Sequence, residues 1–394
     1  MRLIWIFISL VAVKVFAEPA CINCHQSQVE DWQTSHHFHA MEKATPATVL
    51  GNFDDQTLEY QDQKARFYTR DQQLFIAMPN LNGTLTDYPV LYTFGYEPLQ
   101  QYMFDMGGGH IQLFPFAWDS RSKENGGQRW FVLHPEQKQH DLFHWSQKGQ
   151  NWNHMCADCH STEFKKQFDL NTNRFNSTYS AINVSCKACH GDTTEHLKWA
   201  NGDKKRTDKG FANNINTQTP LFTTQKDGSM KSVQPLVKSD QVQVCATCHA
   251  RRSQLNDRSD PHSFLQDFRG SLLTPELYHV DGQVWDENYV WGSFLQSKMF
   301  NAGVTCSNCH NPHSGKLKLP GNQTCTQCHS QVDFDTPEHH GHKLESEGSQ
   351  CVDCHMPATT YMQVDARRDH SFRVPRPDLT LKTNAPNACN SCHE

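Results

Sequence analysis

The chain has 394 residues, with 42 acidic against 36 basic side chains and a formal net charge of −6 at pH 7. An acidic protein repels the phosphate backbone, so nucleic acid is excluded as a partner. Only 37% of the residues are hydrophobic, which is low for this length, whereas 16 cysteines and 24 histidines are many. We therefore expect bound groups to supply part of the apolar core.

The first 17 residues are interpreted as a secretory signal peptide. Arg2 gives a basic start, an apolar run extends from Leu3 to Val13, and Ala17 is a small residue suited to cleavage. The alternative is an uncleaved membrane anchor, but Lys14 interrupts a run already too short to span a bilayer. No later stretch is apolar enough to cross a membrane. We therefore expect a periplasmic protein without a transmembrane segment in its mature chain.

Residues 18–150 are predicted to form an N-terminal module with a β-rich insertion. Asn82-Gly83 predicts a hairpin turn. Four segments have the alternation and the β-branched or aromatic side chains of strands: 66–70, 74–78, 90–94 and 130–133. The insertion is expected to be a small antiparallel sheet. Residues 151–394, by contrast, predict short helices and loops, with one helix expected over 289–300.

One motif, Cys-x-x-Cys-His, occurs eight times and uses every cysteine. The copies are Cys21/Cys24/His25, Cys156/Cys159/His160, Cys186/Cys189/His190, Cys245/Cys248/His249, Cys306/Cys309/His310, Cys325/Cys328/His329, Cys351/Cys354/His355 and Cys389/Cys392/His393, called motifs 1 to 8 below. This is the pattern of c-type haem attachment, in which two thiols bond the haem and the histidine binds its iron.

Three other interpretations of the motif compete with haem. Zinc sites pair such units without needing a histidine directly after each one. A disulfide scaffold is typical of much shorter secreted chains, and a thioredoxin-like motif occurs once, in a βαβ setting. Eight copies with no spare cysteine favour eight covalently attached haem c groups. The predicted fold class is therefore mainly α and irregular, organised by haem, with residues 151–394 carrying haems 2 to 8.

Sixteen histidines lie outside the motifs, and electron-transfer haems commonly take a second histidine as the other axial ligand. The favoured candidates are His37, His196, His279, His313, His370 and one of the pair His340 and His342, of which His340 is chosen. His144 and His262 are weaker choices. The alternative for each one is a surface or hydrogen-bonded histidine, the interpretation given to His36, His39, His134, His140, His154 and His339.

Several segments between the motifs resemble known multihaem proteins. Trp32, Ser35, His37, Ala40 and Met41 after motif 1 are similar to the opening module of the family typified by tetrahaem cytochrome c-554. Four further segments resemble octahaem proteins with doubled CXXCH modules: 92–102, 144–156, 292–299 and 351–389. The resemblance covers nearly the whole mature chain. It implies haem binding and electron transfer, and matches His37, His196, His279, His313 and His370 to family histidines.

Two main functions remain open from the sequence, beside an extracellular conduit or polymer of cytochromes. The first is a periplasmic electron carrier in respiratory metabolism, between a quinol-linked donor and a terminal reductase or another cytochrome. The second is an oxidoreductase in which one haem with an open face reduces or oxidises a small nitrogen or sulfur compound. The second is suggested by the N-terminal insertion, whose aromatics, His110 and Arg121 could wall a pocket. The Cys-x-x-Cys-Lys motif of pentahaem nitrite reductase is missing.

Overall fold

The computed structural model describes residues 19–61, 63–202, 204–215, 221–225, 230–233, 239–258 and 262–393. The predicted signal peptide lies outside these residues. The strands are β1 (Met41–Lys43), β2 (Gln56–Tyr60), β3 (Gln63–Arg70), β4 (Gln73–Pro79), β5 (Leu85–Pro89), β6 (Tyr92–Phe94), β7 (Leu99–Asp105), β8 (Ile111–Asp119), β9 (Arg129–Val132), β10 (Phe168–Asp169), β11 (Arg174–Phe175), β12 (Phe222–Thr224), β13 (Met230–Ser232), β14 (Arg252–Gln254), β15 (Phe268–Gly270), β16 (Ala358–Tyr361) and β17 (Asp365–Arg368).

The helices are mostly single turns. They are α1 (Pro19–Ile22), α2 (Gln26–Gln33), α3 (Trp152–Met155), α4 (Ala157–His160), α5 (Cys186–His190), α6 (Thr194–Asn201), α7 (Gln241–His249), α8 (Phe264–Asp267), α9 (Trp291–Phe294), α10 (Lys298–Asn301), α11 (Cys306–Cys309), α12 (Gln323–Thr326), α13 (Gln331–Phe334), α14 (Pro337–His340), α15 (Cys351–His355) and α16 (Pro377–Thr383). None of these described helices has the length and apolarity needed to span a membrane.

A β-sandwich, residues 41–132, follows motif 1. Its two antiparallel sheets have the strand orders β1-β6-β7-β8-β9 and β2-β3-β4-β5. Apolar side chains from both sheets meet in one core, in which the rings of Phe67 on β3 and Trp130 on β9 stack at 3.9 Å. The large buried aromatic area makes this the main hydrophobic core of the described chain.

Local sequence accounts for two tight points of the sandwich. The turn between β4 and β5 contains Gly83 with φ of 78°, and Asn80 Oδ1 accepts the backbone N–H of Asn82 and Thr84. The predicted hairpin is therefore confirmed. At Gly51, an added Cβ would lie 2.5 Å from the Trp130 ring, so only glycine lets the chain pass there.

The prediction of a mainly helical fold is wrong. Strands make up 24% of the structure, and only four helices in the described part of the chain have seven residues or more. The insertion is a nine-stranded sandwich rather than a small sheet, and four two-stranded pairs lie between later motifs. The helix expected over 289–300 is two single turns, α9 and α10. Helix is confined to short segments, at the motifs and between them, because a chain with only 37% hydrophobic residues has few apolar side chains from which to build longer amphipathic helices.

The N-terminal module packs directly onto the remainder of the chain. Trp32 donates its indole N–H to the carbonyl of Val184 at 2.8 Å, and Asn183 donates its amide to the carbonyl of Phe38 at 2.9 Å. Gln363 bonds the carbonyls of Val132 and Leu133 at the far edge of the sandwich. The boundary at residue 150 stays a prediction, and these contacts fix the sandwich against the motif region.

Candidate haem sites

Every motif folds into one helical turn. In motif 1 the backbone N–H of His25 donates to the carbonyl of Cys21 at 2.9 Å. The same bond recurs for His160, His310, His329 and His393, and α5, α7 and α15 contain the other three motifs. Residues i, i+3 and i+4 lie on one face of a helix. The spacing therefore presents two thiols and one imidazole to the same side.

All 16 cysteines lie in the described residues, and no disulfide joins any of them. Burial raises the pKa of Cys156 to about 12 and that of Cys189 to about 11.

Cysteines of different motifs lie close enough for their thiols to hydrogen-bond, in the pairs Cys159 and Cys248, Cys245 and Cys306, and Cys325 and Cys351. Thiols of motifs 5 and 6, and of motifs 7 and 8, are electrostatic neighbours. His25 of motif 1 is likewise an electrostatic neighbour of His190 of motif 3, and Cys189 of motif 3 is one of Cys248 of motif 4. The eight motifs thus form one connected series.

Three of the predicted haem-binding cysteines differ from the others in being exposed to solvent. They are Cys24 of motif 1 and Cys389 and Cys392 of motif 8, whereas the other 13 motif cysteines are partly buried. Their role in haem attachment stays a prediction, and their thiols are accessible to a cofactor.

Six of the eight motif histidines each face one other histidine across a gap of nearly constant width. The ring-centroid distances are 6.0 Å for His25 and His196, 6.2 Å for His37 and His249, 6.4 Å for His190 and His313, 6.5 Å for His310 and His370, 6.2 Å for His339 and His355, and 5.9 Å for His342 and His393. Each pair joins one motif histidine to one histidine from outside the motifs.

This gap fits two ligands on one iron. An imidazole nitrogen lies about 2 Å from a metal that it binds, and two rings on opposite sides of one iron have centroids about 6 Å apart. Direct hydrogen bonding between rings would bring them closer. The residues present therefore fit haem.

Backbone carbonyls hold several of these rings in place. The Nδ1 atom of His196 lies 2.9 Å from the carbonyl oxygen of Lys209, and that of His370 lies 2.9 Å from the carbonyl oxygen of Arg368. The Nδ1 atom of His355 lies 2.8 Å from the carbonyl oxygen of Arg373. His342 makes the same contact with the carbonyl of His340 at 2.7 Å. A carbonyl oxygen only accepts, so Nδ1 carries the proton and Nε2 is left as the metal-binding atom.

Burial also keeps the deepest rings neutral. It lowers the pKa of His37, His160 and His190 to about 4 each. A neutral imidazole is the form that binds a metal. At pH 7 these three side chains are therefore in the ligand-competent state.

Four of the six favoured distal candidates face a motif histidine: His37, His196, His313 and His370. His279 instead packs against Trp285, with ring centroids 5.0 Å apart. His340 stacks beside His342 rather than across from a motif ring. His339, which the sequence analysis interpreted as a surface or hydrogen-bonded histidine, faces His355 of motif 7. The sequence His339-His340 alone does not indicate which of the two rings α14 orients towards the motif.

The weaker candidates lie elsewhere. His144 is buried and its Nδ1 contacts the hydroxyl of Ser146 at 2.8 Å. The backbone N–H of His262 donates to the side chain of Asn213. His110 contacts the carbonyl of Asn173, and Arg121 forms a two-point ion pair with Asp119. The structure brings none of these four to a motif histidine within its described residues.

His160 of motif 2 and His329 of motif 6 have no histidine facing them in the described parts of the chain. His160 packs against the ring of Phe94 on β6, with centroids 4.4 Å apart. The nearby Tyr289 is 43% exposed, and the partial burial of its ring raises the pKa of its hydroxyl to about 12, with Glu287, Cys159 and Cys156 adding to the rise. The β-sandwich therefore reaches motif 2, and an aromatic hydroxyl group is close to its cysteines.

A buried charged cluster, Asp158 with Arg252 and Arg258, lies between motifs 2 and 4. Both arginines pair with the Asp158 carboxylate, and the three side chains are only 9–14% exposed. Arg252 also lies 3.7 Å above the ring of Phe268. The sequence signal that could have found it is the aspartate inside motif 2, a charge placed between the two cysteines of the motif.

Two family models match parts of the chain. "Cytochrome c7 and related cytochrome c" matches residues 312–394, and "Cytochrome c554 and c-prime" matches residues 20–66 and 117–191. The second match breaks over residues 67–116, which belong to the β-sandwich. The sandwich thus interrupts a sequence pattern that otherwise runs through motifs 1 to 3.

Among curated proteins, "Multiheme cytochrome MtrA" of Shewanella baltica (strain OS185) is 24% identical over 250 residues, or 60% of this chain and 51% of that protein. The chain therefore spans about half the length of that relative. Among solved structures, "Outer Cell Wall Cytochrome OcwA" superposes with a TM-score of 0.59 at 16% identity, covering 96% of this chain and 83% of that one. At this identity the likeness concerns the fold.

The repeated motif, its shared helical turn and the histidine pairs agree with these matches. They support covalent haem c and electron transfer through haems. The chain is a multihaem c-type cytochrome.

Proposed function

We propose that the protein carries eight haem c groups and conducts electrons along them, outside the cytoplasm, between separate redox partner proteins. The observation that carries the proposal is the connected series of motifs in which six of eight have a facing histidine. The partners would be a quinol-linked donor and a terminal reductase or another cytochrome in respiratory metabolism. A periplasmic location is supported by the signal-peptide pattern of residues 1–17.

The residues do three things in this function. The cysteine pairs would tether each cofactor, the facing histidines would bind its iron, and the contacts between cysteines of different motifs keep neighbouring sites close. Haem iron gains and loses one electron, which is the chemistry that the bound group supplies. Rings already held by backbone carbonyls need little movement when the charge changes.

The mass of the purified protein tests the count. We expect the mature chain plus eight haems, since all eight motifs have the same helical turn. Replacement of both cysteines of one motif by serine should lower the mass by one haem. A wild-type mass with fewer than eight haems would contradict the proposal.

Electron paramagnetic resonance of the oxidised protein tests the ligand pairs. His37 and His249 have planes 70° apart, whereas the other five pairs lie at 9–36°. Near-perpendicular imidazoles give low-spin ferric haem a much more anisotropic signal than near-parallel ones. We expect one such signal, from motif 4, beside several rhombic ones, and its loss in His37→Ala but not in His36→Ala. A spectrum without this signal would argue against the His37–His249 pair.

A second function is favoured by motif 2. His160 has no facing histidine in the described residues, and Tyr289 with its raised pKa lies near Cys156 and Cys159. An iron held from one side by His160 could bind a small nitrogen or sulfur compound, with Tyr289 as a proton donor. In this version the other motifs deliver or remove the electrons.

Carbon monoxide tests whether motif 2 has an open face. We expect the reduced protein to bind it at one or two haems of eight, because His160 and His329 lack a facing histidine among the described residues, and the difference spectrum gives the number. Cys156→Ser with Cys159→Ser should remove one haem equivalent of bound carbon monoxide. The matched change in motif 7, Cys351→Ser with Cys354→Ser, should leave the bound amount unaltered. Absence of binding would leave only the carrier function.

A further inference from the structure

We propose that Arg252 and Arg258 raise the reduction potentials of the haems on motifs 4 and 2, so that electrons reside preferentially at this junction of the series. The inference rests on the proposed haem attachment at these two motifs. It gives the buried cluster, which haem attachment itself does not require, a role in the direction of electron flow.

Arg258 is directed at motif 4. Its Nη2 lies 3.1 Å from the sulfur of Cys248 and also donates to the backbone carbonyl of Asp158. Its Nη1 donates to the hydroxyl of Thr247 at 3.3 Å. The sulfur of Cys248 stands for the thioether sulfur that forms when the haem is attached. The guanidinium group thus adjoins the edge at which the haem is bonded.

Arg252 makes the corresponding contact with motif 2. Its Nη2 lies 3.2 Å from the sulfur of Cys159, and its Nε donates to the carbonyl of Thr247 at 2.7 Å. The ring of Phe268 covers its other face. The two arginines therefore bridge motifs 2 and 4, whose thiols on Cys159 and Cys248 are hydrogen-bonding neighbours.

The cluster carries a net positive charge in a site shielded from water. Two guanidinium groups share the single carboxylate of Asp158, and the three side chains are 9%, 13% and 14% exposed. Adding an electron to an iron makes the site more negative, so a nearby cation favours the reduced form. The effect is stronger where water is excluded. The ion pair between Lys165 and Asp257 does not offset this charge, because it has no net charge and is exposed to solvent.

A purely structural role is the alternative. The cluster also fastens α4 to the end of α7, because Arg252 and Arg258 bond carbonyls or side chains on both. If the cluster only connects these helices, removal of either an arginine or Asp158 should lower the stability of the protein. Charge tuning differs, because removal of a cation and removal of the anion must shift the potential in opposite directions.

The experiment is a redox titration of the complete haem-loaded protein, followed through the anisotropic resonance signal assigned to the His37–His249 pair. In Arg258→Gln we expect this haem to be harder to reduce by about tenfold in its reduction equilibrium constant, or about 59 mV for one electron. Asp158→Asn should make it easier to reduce, and Arg258→Lys should retain most of the wild-type potential. The control is Arg66→Gln, which removes a half-exposed arginine on the β-sandwich and should change nothing.

Each outcome decides between the two roles. Opposite shifts in Arg258→Gln and Asp158→Asn, with the lysine variant near wild type, support tuning by charge. Shifts in the same direction, or an unmoved potential in a folded, fully loaded variant, overturn the inference while leaving haem conduction intact. If Arg258→Gln does not assemble, Asp158→Asn still gives the sign of the shift, because removal of the anion should make this haem easier to reduce. A wild-type protein without haem at motif 4 would instead refute the proposed function.

Discussion

The haem-free chain is expected to keep its β-sandwich and to lose the structure of the motif region. Fifteen buried apolar or aromatic residues form the main sandwich core, whereas the largest cluster built only from described residues after 185 has four, Ala246, Ala250, Phe264 and Phe268. A buried phenylalanine contributes about 1.5–3 kcal/mol, and ordering the backbone costs about 1–2 kcal/mol per residue. Side chains alone therefore cannot hold residues 186–393.

Hydrogen exchange read by mass spectrometry checks this expectation. The chain would be expressed without residues 1–17 in a cytoplasm that lacks the enzymes for haem attachment, so that no haem is bonded to any of the 16 cysteines. We expect protected amides in β3, β4, β7 and β8 and rapid exchange from α7 to α15. The haem-loaded protein, protected in both regions, is the control. Equal protection of both regions without haem would show that the motif region has a sufficient core of its own.

The strands were partly predictable because their signal is local. Residues 66–70 and 74–78 fall within β3 and β4, and residues 130–132 fall within β9. The extent of the sandwich was underestimated, since β2 and β5 have several exposed or half-buried positions and lack a strong alternation. The short pairs β10–β11 and β16–β17 have little side-chain pattern, because loop closure between fixed attachment points determines them.

The candidate sites divide in the same way. Motif residues are local and were identified together, since the spacing itself creates the helical turn. Their burial is not local, which is why the exposure of Cys24 and Cys392 could not be read from the motif. A facing histidine is likewise a long-range contact, and the sequence alone supplies only the candidate. The neighbours His339 and His340 differ only in the face of α14 that each occupies. The arginine cluster escaped notice because its members are up to 100 residues apart.

His339→Ala is expected to open the haem on motif 7, whereas His340→Ala is not. The ring of His339 lies 6.2 Å from that of His355 at an angle of 13°, in the arrangement shared by the other pairs. His355 is fixed from behind, with its Nδ1 2.8 Å from the carbonyl of Arg373, so it would remain as the single axial ligand. The variant should gain one high-spin haem in eight and bind one further equivalent of carbon monoxide.

His340→Ala is the matched control, because it removes a ring of the same kind one residue away in the same helix. Its ring lies beside His342 and faces no motif histidine in the described chain. We expect its spin state and carbon monoxide binding to equal those of the wild type. The opposite result would be a high-spin haem in His340→Ala and none in His339→Ala. It would support His340, the ligand chosen from the sequence, and would mean that α14 presents its other face to motif 7. Both variants keep His342 and His393, so the motif 8 pair reports whether the local fold has survived.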